Sequence, residues 1–463
     1  MGMQSFRLAG SQAGAPGLIG KANTHTPILD RGTAEHLERS ADRSRLTASF
    51  IRRAPDSLPR LFYLGFAFPP GVAALHLEIN PAGHAIETQM IGQLRRFFDV
   101  RSAGVLPFAP PKLEAADPAS GLAHELVLVE KPPEMLHRVR SVKRLKAEYL
   151  RWRATGWEPD MLLVYNLSPI YNHFLLWLRQ QPRCPKLVLL LLDSATLGRL
   201  VPWLKRFRHR FKPMSVPDAE MLPYFNACVG LSRHVQQYFA DLQIPFLWMP
   251  GGCCPQLACS EPNGFAAPGD QKRLGYFGAL GPHAGVRLMV ETFLGLDLPA
   301  TLEICGYGKA AAEIEALSGK DQRVKFRGLV SPAECLHFGH SCDLLINPRP
   351  ATHGNENNFA SKLFDYALTG RAILTAKLSG VEAVLGPEAL YFDPRDFQRS
   401  LREQLIRAVM MPRAELHQRG NIIRQRLVTE FSWERQGARL AQFLQAVFSG
   451  GSFPDEIPAA LAA

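Results

Sequence analysis

Three things are missing from this chain of 463 residues: an Asp-x-Asp, a Cys-x-x-Cys, and an uninterrupted apolar run long enough to cross a membrane. The first absence removes a closely spaced carboxylate pair of the kind that holds a divalent ion, and no metal and no cofactor are expected. The second leaves the eight cysteines without a zinc spacing; Cys253, Cys254 and Cys259 lie close together but have no histidine cluster beside them. They read as small core residues of a reduced, cytoplasmic protein. The nearest approach to a span, Met161–Leu178, is broken by Asn166, Ser168, Pro169 and Asn172, which predicts strand, loop and helix instead. The first 30 residues have no continuous apolar core, so no signal peptide is expected. Ser194 follows Asp193 without the glycines of a nucleophile elbow, which disfavours a hydrolase.

Charge is present but concentrated. The chain carries a net +11, yet residues 138–153 hold seven Lys/Arg against one Glu, and residues 199–212 hold six against none. These two segments exceed the whole net charge, so the basicity is local and does not describe a nucleic-acid-wrapping surface. Val139, Val142, Leu145, Tyr149 and Trp152 fall on or near one helical face of the first. Leu200, Trp203, Leu204, Phe207 and Phe211 do so in the second. Either stripe can serve a core or lie on an anionic membrane.

The 37 Gly and 36 Pro are dispersed, as many short connections require. Residues 1–59 read as a poorly ordered leader. Short apolar runs then alternate with helical periodicity over 60–250: strands at 61–67, 100–105, 125–129, 161–165, 187–192, 227–231 and 246–249, with helices at 85–98, 138–153, 171–180 and 233–241. A breaker-rich linker, 251–272, follows. Alternation restarts over 273–431, with strands at 273–278, 301–305, 324–328, 342–347, 372–376 and 389–392 and helices at 285–294, 309–317, 332–339, 362–368 and 399–410. The expectation is two doubly wound α/β domains with parallel sheets and a ligand cleft between them. A last amphipathic helix, 432–448, has its stripe on Trp433, Gly437, Leu440, Ala441, Leu444 and Phe448 and is expected to pack back on the first domain, ahead of a tail over 449–463.

The segment most suggestive of chemistry is 347–370, NPRPATHGNENNFASKLFDYALTG. A strand ends at Asn347, a polar loop follows, and a helix begins near Ser361 with Lys362 in its first turn. Free amides at such a start, and the charge of Lys362, suit a phosphate; Asp365 one turn on can accept hydrogen bonds from sugar hydroxyls. The plainer alternative is that Ser361 caps the helix and Lys362 is solvated.

The runs INPRP and NFASKLFDYALTG resemble the signature of retaining, family 4 glycosyltransferases, especially their exopolysaccharide-type branch. Similar to that family too are LGYFGAL (274–280), LEICGYGKAAAEIEAL (302–317), KFRGLVSPAECLHFGHSCDLLINP (325–348), TAKLSGVEAVLG (375–386), LFYLGFAFPPG (61–71) and ACVGLSRHVQQYFADLQIPFLWMPGG (227–252). The resemblance implies a GT-B fold, two Rossmann-like domains with acceptor bound mainly by the first and nucleotide-sugar by the second, and transfer with retention to a glycan or lipid-linked acceptor. It implies that Asp365 holds the ribose and that Lys362, Ser361, Gly278 and Arg349 lie on the donor diphosphate. It also puts Asp193, Asn357 and Glu356 on the sugar side. Gly71 and Gly83 flank the loop after the first strand, where the backbone can approach the acceptor or the donor phosphates, or serve the turn alone. Departures are plain: Ala279 and Ala284 stand where many members carry Arg and Lys, and Asn357 where a carboxylate is usual. Surface-polysaccharide or glycoconjugate synthesis on the inner face of the cell membrane is the expected setting. A binding protein without catalysis and a sugar-nucleotide epimerase are the alternatives.

Overall fold

The computed structural model describes residues 58–65, 81–105, 124–127, 134–192, 218–257 and 271–451. Outside them lie Gly71, Asp193, the basic segment 199–212, nearly all of the expected leader and most of the expected tail.

Two parallel sheets carry the fold. The first contains β1 (Arg60–Gly65), β2 (Asp99–Val105), β3 (His124–Val127), β4 (Met161–Tyr165), β5 (Lys186–Leu191), β6 (Ala227–Gly230) and β7 (Phe246–Trp248), ordered β3-β2-β1-β4-β5-β6-β7. The second contains β8 (Lys272–Phe277), β9 (Ala300–Cys305), β10 (Val324–Gly328), β11 (Leu344–Asn347), β12 (Ala372–Ala376) and β13 (Leu390–Phe392), ordered β10-β9-β8-β11-β12-β13. Runs such as MLLVY in β4 and AILTA in β12 are buried almost throughout because helices cover both faces. Strand order reverses between β1 and β4 and again between β8 and β11. At such a switch point the connections leave in opposite directions and open a crevice at the carboxyl ends of the strands.

Local signals set the helices. Ser168 accepts a hydrogen bond from the Tyr171 amide and Pro169 opens the helix Pro169–Leu178. Ser331 and Glu334 form a reciprocal capping box on Pro332–His340. One helix, Arg413–Glu430, is unexpected from the sequence pattern. Its buried positions, Leu416, Gly420, Ile423 and Leu427, form a narrow stripe interrupted by a glycine in an otherwise polar run.

For the first basic segment the structure decides between the two uses of its apolar stripe. The segment belongs to the helix Glu134–Ala154, and Val142, Leu145, Tyr149 and Trp152 are all buried. Trp152 meets Phe62 of β1 edge-on with ring centroids 4.9 Å apart, and Tyr149 meets Trp177 at 5.8 Å. From Val142 onward the stripe is therefore core, and the exposed face carries Arg140, Lys143 and Arg144 together with Leu150.

The final helix, Trp433–Ser449, starts at Ser432, whose hydroxyl accepts from the Arg435 amide. It lies on the helix Pro81–Leu94, with Gly437 against Gln93. The chain thus passes between the two sheets a second time beside the first passage. There Cys253 donates its amide to Phe431 O (2.9 Å) and Trp433 donates to Cys253 O (3.0 Å).

Candidate functional site

The switch point of the second sheet is built from three strand exits. After β8 the chain turns at Gly278, whose φ of +139° favours glycine. After β9, Gly306 comes so close that a Cβ there would stand 2.1 Å from Gly278 O. The Leu280 amide then donates to Tyr307 O at 2.7 Å. The Gly306-Tyr307-Gly308 turn is thus a backbone-to-backbone seat for the loop after β8. After β11 the run Asn347-Pro348-Arg349 folds against the same loop: a Cβ on Gly285 (φ +72°) would stand 1.8 Å from Pro348 O. Buried Asn355 ties the two together, donating through Nδ2 to His283 O and Pro350 O, both at 2.9 Å.

Cations gather on this frame. Lys362 opens the seven-residue helix Lys362–Leu368 and points back at the β8 exit. Its Nζ donates to the Tyr276 hydroxyl at 2.5 Å and sits 4.2 Å from that ring's centroid. Tyr276 donates in turn to Ala279 O at 2.7 Å. Arg349 is half-buried, and its Nε is enclosed without a hydrogen-bond partner among the described residues. Burial and the charge of Arg349 together hold the Lys362 ammonium far below its ordinary pKa, with Asp365 pulling the other way. Burial, Arg349 and Lys362 lower His283 as well. Neither Lys362 nor Arg349 makes an ion pair with a carboxylate at hydrogen-bond distance among the described residues. Uncompensated positive charge at the carboxyl end of a parallel sheet is suited to an anion.

Asp365, one turn on, is exposed to water. Yet the surrounding protein lifts its carboxyl to about 6, against the pull of Lys362. Open to solvent but hemmed in by protein, it sits in a concave place. Its charge also helps to raise the thiols of Cys253 and Cys254, which puts the passage between the sheets beside it.

Gly278, Lys362, Arg349 and Asp365 therefore meet around one switch point. Ser361 adjoins them but has helical backbone angles and caps nothing with its side chain, contrary to the capping alternative. Asn357 is buried in the loop before this helix. Glu356 turns its carboxylate toward Arg395, 3.6 Å away, while its carbonyl accepts from Ser232 Oγ at 3.2 Å, linking this loop to the segment after β6. Gly83 is buried in the first turn of Pro81–Leu94, and Asp193 and Gly71 lie outside the described residues. Ala279 is exposed and Ala284 buried, so neither place supplies charge. Sequence reasoning passed over Tyr276, His283 and Asn355; only the Tyr-x-Gly at the end of β8 hinted at the first.

No protein-family profile matches the chain, and no curated protein does. Solved structures match well. Sucrose-phosphate synthase of Thermosynechococcus elongatus is 15% identical, with a TM-score of 0.62 over 85% of this chain and 100% of that one. Anabaena HepE, crystallised with UDP and glucose, is 13% identical, with a TM-score of 0.59 over 84% and 100%. The α,α-trehalose 6-phosphate synthase of Burkholderia multivorans is 12% identical, with a TM-score of 0.60 over 86% and 100%. The fold is GT-B. Within it, the cations of Lys362 and Arg349 stand at the switch point of the second Rossmann-like sheet, and the loop of Glu356 reaches the first.

Proposed function

We propose that this protein is a retaining glycosyltransferase that moves a sugar from a nucleotide-sugar donor to a glycan or lipid-linked acceptor. The observation that carries this is the convergence of Lys362 and Arg349, without a carboxylate partner, on the β8 exit. A donor diphosphate is the anion that such a place takes, and HepE, of the same fold, was crystallised with UDP and glucose. As the glycosidic bond breaks, negative charge grows on the departing phosphate. Cations already in place stabilise it without reorganisation and without a metal. Asp365 accepts from the ribose hydroxyls, the Gly278 turn and Ser361 border the diphosphate, and Asn357, Glu356 or Asp193 face the transferred sugar. Gly71 and Gly83 border the acceptor.

A second role, sugar-nucleotide binding without transfer, is favoured by three features: Ala279 and Ala284 without charge, Asn357 in place of a carboxylate, and Glu356 turned toward Arg395. A panel of uridine, guanosine, adenosine and thymidine diphosphate sugars separates the two. One donor is expected to stabilise the fold by about 2.7 kcal/mol at 100 times its Kd. Slow release of free nucleotide from that donor, accelerated by acceptor, supports transfer. Stabilisation without release supports binding alone, and no stabilisation by any donor overturns both.

A further inference from the structure

The Lys362 ammonium is held in an unusual way. Its hydrogen-bond acceptor is a neutral phenol: Tyr276 accepts at 2.5 Å and places its ring 4.2 Å beneath it. Tyr276 has little freedom to do anything else. It is wholly buried, and its own proton is committed to Ala279 O at 2.7 Å, which leaves its lone pairs for Lys362. A second tyrosine secures the same strand end, since Tyr366 accepts from the Phe277 amide (3.2 Å) and donates to Phe277 O (3.0 Å). Space for the lysine exists because residue 278 is glycine; a Cβ there would stand 2.8 Å from Lys362 Nζ.

Building on the nucleotide-sugar assignment above, we infer that Tyr276 is a positioning residue that fixes Lys362 over the β8 exit so that its charge meets the donor diphosphate. Carboxylates do this work poorly, because an ion pair would neutralise the charge that the diphosphate needs. A buried phenol directs the ammonium and leaves its charge intact. Tyr276 acts through Lys362 and touches no reacting atom.

The charged and titratable groups around Lys362 are Tyr276 on β8, Arg349 after β11, and Asp365 on its own helix; His283, in the loop after β8, feels its charge in turn. Removing the phenol oxygen leaves the repulsion from Arg349 and takes away a stabilising acceptor. Lys362 should then lose its proton at a lower pH.

The test is a double-mutant cycle on the full chain, with Tyr276→Phe, Lys362→Met and the pair, titrated by calorimetry with UDP, GDP, ADP and dTDP across pH 6 to 10 (roughly the span of lysine titration when perturbed). Tyr276→Phe keeps the ring and is expected to weaken the nucleotide that the wild type binds by about tenfold. It should also move the alkaline loss of affinity to lower pH. In the Lys362→Met background the same change should have almost no effect, which a general loosening of the strand end would not reproduce. Equal weakening in both backgrounds, or an unmoved pH profile, overturns the role of Tyr276 while the nucleotide assignment stands. Failure of the wild type to bind any of the four overturns the assignment and the inference with it.

Discussion

Asp365 is a carboxylate that the fold penalises for being charged. Although the side chain reaches water, the protein crowded around it desolvates the carboxyl and lifts it from 3.8 to about 6, with Lys362 opposing. A raised pKa in the folded state means that folding takes up a proton between the two values. Stability from this group is present below about 4 and is lost as pH rises through about 6. Asp365→Asn is therefore expected to raise the melting temperature at pH 7 and to bring no advantage at pH 4; equal gains at both would remove the electrostatic cause. The same variant should weaken the nucleotide donor about tenfold to a hundredfold, the value of a charge-assisted hydrogen bond. In the wild type, donor affinity should fall as pH drops through about 6, and in the variant that slope should disappear. A variant that gains stability and loses donor affinity would mark Asp365 as a binding group.

At the scale of elements, the site depends on close approach between loops more than on any one helix. The helix behind Ser361 is only seven residues long, so its macrodipole adds little beside the full charges of Lys362 and Arg349. Gly285 is the tightest point of the frame. A methyl group there would collide with Pro348 O and would need a left-handed φ. Gly285→Ala is expected to cost at least about 2 kcal/mol in urea unfolding. Gly92→Ala makes the contrast: it lies in the helix Pro81–Leu94 with open space around its missing Cβ. There the same change should stabilise by about 0.5–1 kcal/mol. If both variants unfold alike, loop crowding is not what holds the switch point. The helix Arg413–Glu430 is fastened from its first residue, where Arg413 Nε donates to buried Asp343 at 3.0 Å. Asp343 also accepts from the Arg273 amide at 2.8 Å, at the start of β8. Asp343→Ala leaves that amide and the guanidinium without their shared acceptor and should cost about 3 kcal/mol by the same measurement.

Across the whole molecule, the charge pattern and the fold meet at one helix. No helix of the described residues is long and apolar enough to cross a membrane. The helix Glu134–Ala154 has Val142, Leu145, Tyr149 and Trp152 of its apolar stripe in the core, which leaves little of that stripe to insert into lipid. What it can still offer an anionic membrane is electrostatic attraction, about 1 kcal/mol for each Lys or Arg at the surface. If the acceptor is the lipid-linked one of the two proposed, co-sedimentation with anionic liposomes is expected at low salt and should vanish near 1 M, where the Debye length is about 3 Å. Replacing Arg140, Lys143 and Arg144 by Gln should weaken it by about a hundredfold. Unchanged binding in the triple variant, or binding to neutral liposomes, would discard this surface.

The alternation of apolar runs and helical periods was enough to determine a pair of parallel α/β sheets. A strand such as β4 or β12, buried on both faces, has to be apolar along its whole length, and its ends fall where polar or breaker residues begin. Lys362 and Asp365 were legible for a related reason: charged residues beside a strand exit and a helix start stand out against an apolar background. Other features depend on distance in space, which no local pattern encodes. Ala279 and Ala284 signalled only that charge was missing, whereas folding brought Arg349 from β11 and the Tyr276 hydroxyl from β8 to Lys362. Helix Arg413–Glu430 looked too polar because four buried residues suffice when a glycine lets its backbone press on the turn at Gly370. The stripe of Glu134–Ala154 could have faced lipid or protein, since both are apolar. Only the packing of Trp152 against Phe62 decided which.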